Sequence, residues 1–83
     1  MTSKANKTLE RVFKKPVPAD IKWREIEIML ISLGGEIEER AGSRIVVKLG
    51  DMRQVFHRPH PDPNTKKGAV VAVRKFLEGA GIK

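Results

Sequence analysis

The pair Gly50-Asp51 restricts this chain more than any other feature, because it falls between two runs rich in β-branched and apolar residues, RIVVKL before it and MRQVFH after it. A glycine-aspartate step in that setting reads as the two-residue turn of a β-hairpin. The turn fixes the register. On one side Leu49 faces Met52, Val47 faces Gln54 and Ile45 faces Phe56; on the other Lys48 faces Arg53, Val46 faces Val55 and Arg44 faces His57. The first face is apolar with one polar member. The second gathers three cations and a histidine around a valine pair, which suits solvent or a polyanion better than an interior.

A hairpin with one apolar face needs further strands and cover. Glu36 to Ala41 offers one large apolar residue, Ile37. To bring Ile37 beside Val47, the chain must turn through a three-residue loop, Ala41-Gly42-Ser43, with glycine available for positive φ. A two-residue loop would instead put Glu36 and Glu38 on the core face. An antiparallel three-stranded meander is therefore expected.

Two helices flank it. From Lys22 to the Gly34-Gly35 stop, Trp23, Ile26, Met29, Leu30 and Leu33 recur at helical spacing. Trp23 reads first as a core aromatic and second as a platform for a stacked base. Ile28 and Ile31 fall outside that stripe, so the helix is either covered on a second side or offers apolar surface to a partner. HRPHPDPN, with prolines at 59, 61 and 63, excludes helix and central strand and is a stiffened loop. From about Thr65 the second main helix carries Val70, Val73, Phe76, Leu77 and Ala80 on one face and stops at Gly81. Lys66 and Lys67 sit at its beginning, where the helix dipole disfavours cations; a bound phosphate, an acidic partner or plain solvation would offset that conflict.

Residues 1–20 form a basic arm ahead of a domain spanning 21–83. Met1 to Asn6 hold nothing that would anchor them to a core and are expected to be mobile, whereas Lys7 to Phe13 can form a short helix before Pro16 and Pro18. At 83 residues there is room for one domain, and without cysteine neither a disulfide, a thiolate metal site nor a thiol nucleophile is available. Net charge is +7, unevenly spread: residues 1–23 hold six cations and two anions, 24–51 four and six, and 52–83 seven and two. Basic ends around an acidic middle favour a polyanionic partner, nucleic acid or an acidic protein surface. The polar opening MTSKANKTLERV lacks the apolar core of a signal peptide, and no run approaches the ~18 residues that span a bilayer, so no membrane association and a cytoplasmic location are expected.

The fold class expected is thus α+β, in the order α-β-β-β-α, with two helices packed on one face of a three-stranded antiparallel sheet and the basic face open. That is the layout of double-stranded RNA-binding domains, which makes RNA the leading polyanion. From Ile21 onward the chain also resembles the HicA family of toxins from bacterial toxin-antitoxin pairs, in a helix ending ISLGG, a GSR step opening the central strand, and a helix ending FLEGAGI. The resemblance implies an mRNA interferase that cleaves RNA without a metal or cofactor and is neutralised by a HicB-type antitoxin.

The resemblance also implies a catalytic histidine directly after the glycine-serine step, where this sequence has Arg44. Arginine stays protonated, so it can hold a phosphate but is a poor general base. His57 lies opposite Arg44 in the derived register and is the replacement candidate, with His60 second. Ser43, Arg44, Lys48, Arg53, Arg58, Lys66 and Lys67 are the expected RNA contacts. Two histidines and Asp62 separated by prolines do not make a metal-ligand set. A non-catalytic relative that binds RNA or antitoxin is the alternative.

Overall fold

The turn residues behave as their chemistry requires. In the computed structural model, which describes residues 3–82, strands β1 (Glu36–Glu39), β2 (Arg44–Leu49) and β3 (Met52–His57) pair antiparallel in the order β1-β2-β3. All six β2–β3 pairs, from Arg44 with His57 to Leu49 with Met52, are those derived from the turn. Gly50 takes φ 59°, and a positive φ at the first turn position alone fits a type II′ turn, whose twist matches the flanking strands. Ile37 pairs with Val47, so the connection is the three-residue loop Ala41-Gly42-Ser43, closed by the Arg40 N–H donating to the Arg44 carbonyl at 2.9 Å. Both Gly42 and Ser43 are left-handed there, and Ser43 is the one non-glycine residue with positive φ among those described.

Helices α2 (Trp23–Ser32) and α3 (Lys67–Gly79) cover the apolar face, as an α-β-β-β-α domain requires. Ile45, Val47, Leu49 and Phe56 of the sheet meet Ile26, Met29 and Leu30 of α2 and Val70, Val73, Phe76 and Leu77 of α3. Three aromatics bind the layers: Trp23 is tilted against Phe56 with ring centroids 5.9 Å apart, and Phe56 meets Phe76 edge-on at 5.7 Å. Trp23 is therefore a core residue. On the outer face Val46 is buried as well, in the centre of the middle strand between Glu38 and Val55.

Both helices end in the same way. In α2 the Gly34 N–H donates to the Ile31 carbonyl and Gly35 to Leu30; in α3 Gly81 donates to Glu78 and Ile82 to Leu77. These paired bonds are the Schellman arrangement, and Gly34 at φ 97° and Gly81 at φ 79° occupy its left-handed position.

The N-terminal arm corrects the sequence reading. Helix α1 spans Ser3–Val12 rather than starting at Lys7, and Ala5 and Thr8 are buried. The expectation of mobility thus fails for residues 3–6; for Met1 and Thr2 it lies outside the described residues. Ala5, Thr8, Leu9 and Val12 make an i, i+3, i+4, i+7 stripe whose first two members are too small to advertise themselves. Helix α1 packs on α2 and α3. Arg74 of α3 fixes its end by donating to the Val12 carbonyl at 2.9 Å and the Lys14 carbonyl at 3.0 Å, a cation placed at the negative pole of a helix. Arg11 pairs with Asp20 across the proline connector.

Candidate nucleic-acid interface

Strand alternation delivers Arg44, Lys48, Arg53 and His57 to the open face of the sheet. Arg44 and His57 oppose each other at one end; Lys48 and Arg53 do so at the end near the Gly50 turn. Arg44, Arg53 and His57 are exposed. The Arg44 Nε donates to the Ala41 carbonyl at 3.0 Å, which steadies its guanidinium over the loop. Ser43 is exposed beside it, and its carbonyl accepts the Arg58 N–H at 2.9 Å.

The third strand tempers this face. Glu36 and Glu38 of β1 pair with Lys48 and Val46, so they share the outer surface with the cations. Glu38 takes an Arg40 hydrogen bond at 2.6 Å and lies 3.4 Å from the Lys48 Nζ. Arg40, then Lys48, hold the Glu38 carboxyl below its ordinary range, and an Arg58 hydrogen bond does the same for Glu39. Depressed folded-state values mean these pairs contribute above the unfolded carboxylate pKa and are lost as pH falls through the folded one. The uncompensated positive potential of the sheet is accordingly centred on Arg44 and Arg53.

Arg58 differs from its expected role. It donates from Nε and Nη2 to Glu27 at 2.8 and 3.1 Å and from Nη1 and Nη2 to Glu39 at 2.6 and 2.8 Å. Its guanidinium, whose pKa is raised first by Glu27 and then by Glu39, is a clamp between α2 and β1 rather than an open phosphate ligand. Glu27 also accepts the Trp23 indole N–H. Sequence reasoning missed Glu27, because an acidic residue on an amphipathic helix gives no sign of its distant partner.

Beside the Arg44–His57 end lies a cleft of about 370 Å³, whose walls include Trp23, His57, Pro59, His60, Thr65 and Lys66. It brings the two histidines together with the start of α3. The proline-rich loop that forms one wall is tied down by Trp23 N–H to the Pro63 carbonyl at 3.0 Å, Thr65 N–H to the Ile21 carbonyl at 2.7 Å, and an Asp62 carboxylate accepting the Asn64 N–H at 2.9 Å. Lys66 is the N-cap of α3 and Lys67 its first residue; both are exposed, and no side chain caps the helix. Ser43, Arg44, Lys48, Arg53 and Lys67 do not line the cleft. Among the described residues no group of three or more His, Cys, Asp or Glu side chains is placed to hold a metal ion, and no helix is long and apolar enough to cross a membrane. On the other side of Trp23 and Pro59, a larger cleft of about 540 Å³ is bordered by Ile28 and Ile31, both exposed.

No curated protein and no solved structure matches the chain. The family model described as the HicA toxin of bacterial toxin-antitoxin matches residues 23–82, from the first residue of α2 to the last described residue after α3. With its α+β fold and most of its length inside that match, the chain belongs to the HicA toxin family.

Proposed function

We propose that this toxin binds RNA across its open sheet face and cleaves it at the Arg44–His57 end without a metal. The observation that carries the reading is the cross-strand pairing of Arg44 with His57, which itself lines a cleft shared with His60 and Lys66. Arg44 holds the scissile phosphate. His57 removes the proton from the neighbouring 2′-hydroxyl, whose oxygen bonds to phosphorus while the 5′-oxygen departs and takes a proton from solvent water. The products are a 2′,3′-cyclic phosphate and a 5′-hydroxyl end. His60, held in the loop between prolines, is the secondary candidate.

Replacing Arg44 and Arg53 together with alanine tests the binding surface. RNA affinity should fall, and the slope of log K against log salt should shrink by about 0.7 to 0.9 for each phosphate the protein no longer neutralises. An unchanged affinity and slope in a folded variant would exclude this face.

The protein partner in this reading is a HicB-type antitoxin that covers part of the basic surface and the Ile28–Ile31 side of α2. These isoleucines are 41% and 57% exposed beside the larger cleft, an apolar surface that the toxin alone leaves wet. Charge complementarity speeds association, while apolar burial slows dissociation. Ile31→Glu should therefore weaken antitoxin binding mainly through a faster off-rate, measurable by surface plasmon resonance with a HicB-type antitoxin. An unchanged off-rate would place the interface elsewhere.

A second reading, an RNA-binding protein without cleavage, is favoured by Arg44 itself, since a permanent cation binds phosphate but cannot accept a proton. Incubating the purified protein with RNA in chelator separates the two.

A further inference from the structure

The start of α3 presents an unsatisfied polar group. Thr65 is 2% exposed and lines the histidine cleft, yet its Oγ1 has no hydrogen-bond partner among the described residues. A buried hydroxyl left in this state is costly unless something occupies the space before it. The next residues open a 13-residue helix with no side-chain cap, so its first N–H groups are unclaimed within the helix. Gly68 leaves its surroundings open, because a Cβ there would meet nothing within 4 Å. Cations close the arrangement: Lys66 lines the cleft with His57 and His60, and Lys67 is next in sequence. The acidic side chain in the cleft, Asp62, is engaged by the Asn64 N–H.

We infer that the cleft at the N-terminus of α3 is a phosphate-binding subsite, in which the Thr65 hydroxyl and the first α3 amides hold the oxygens and Lys66 supplies the charge. Free amide donors at a helix start favour an anion, and the two lysines that oppose the bare helix dipole become favourable once it is bound. The inference deepens the RNA reading by assigning a second anchor for the strand, next to the sheet rather than on it. The phosphate comes either from an internal diester of RNA or from a terminal monoester.

Titration of inorganic phosphate into the isotope-labelled protein at fixed ionic strength should shift the Thr65, Gly68 and Ala69 amide resonances in one saturable process. Thr65→Val, of the same shape and without the hydroxyl, should weaken binding roughly tenfold, as expected for one hydrogen bond to a charged group. Thr65→Ser should retain it, and Lys75→Gln, which removes a cation further along the same helix, should change little. Absence of saturable shifts at the helix start, or equal phosphate affinity in Thr65→Val, overturns the subsite.

An oligoribonucleotide bearing a 5′-phosphate and its 5′-hydroxyl counterpart separate the sources. A preference for the first that disappears in Thr65→Val assigns the site to a terminal monoester; equal binding of both, weakened alike in Thr65→Val, assigns it to an internal diester. RNA affinity indifferent to Thr65→Val removes RNA as the source and overturns the assignment. Phosphate bound at α3 with no RNA binding at all would leave the subsite standing and remove the proposed function instead.

Discussion

His57→Ala is expected to reduce RNA cleavage by about a hundredfold to ten-thousandfold, the usual contribution of a positioned general base, while fold and most RNA affinity persist. Its position sets it apart from His60. His57 is the last residue of β3 and its backbone is held in the ladder opposite Arg44, whereas His60 belongs to a loop fixed two residues further on. A base on a strand keeps its geometry better than one on a loop, so His60→Ala should lose less. Activity that survives His57→Ala, or that vanishes in chelator and returns with magnesium, would remove the mechanism. The same substitution should leave stability nearly unchanged, since His57 is exposed and makes no ion pair with a described residue.

What the sequence made legible was local and periodic. Gly50-Asp51 and the alternation around it determine every β2–β3 pair, and the requirement that Ile37 face inward correctly gives the length of the β1–β2 loop. Glycine at 34 and 81 marks helix ends because only a residue tolerant of positive φ closes both hydrogen bonds there. Less legible were features that depend on distant partners. Arg58 looks like another surface cation, yet two carboxylates from α2 and β1 occupy its fork. Glu36 and Glu38 reach the outer face by the register that places Ile37 inside, which makes that face more mixed in charge than the hairpin alone implies. Thr65 would pass as an ordinary helix-capping residue, but the cap falls on Lys66, and this leaves the threonine hydroxyl buried and unbonded. Helix α1 extends over small residues, whose burial follows from a close approach between helices rather than from hydrophobicity.

Phe76→Ala should cost about 3–5 kcal/mol of stability, the range for removing a buried aromatic and leaving a cavity. Phe76 is 1% exposed and stands where α3 meets the sheet, with its ring edge-on to Phe56, which in turn touches Trp23 of α2. Removing it therefore cuts the aromatic chain joining α2, β3 and α3 in a domain too small to have a second core. Against a total of about 5–15 kcal/mol for a native domain, such a loss is a large fraction, and at roughly 4–8 °C per kcal/mol the melting temperature should fall by more than 10 °C. Val55→Thr, on the open face at a residue 52% exposed, should shift it little and serves as the contrast. Urea unfolding of both variants gives the comparison directly. A Phe76→Ala midpoint equal to that of Val55→Thr would mean that α3 does not pack on the sheet through this ring. The effect should reach the site, because Trp23 borders both clefts and Phe56 immediately precedes His57. At temperatures where the variant stays folded, its RNA affinity should be less affected than its cleavage rate, since salt-dependent contacts by long cationic side chains tolerate a loosened backbone and an in-line displacement at phosphorus with a positioned base does not.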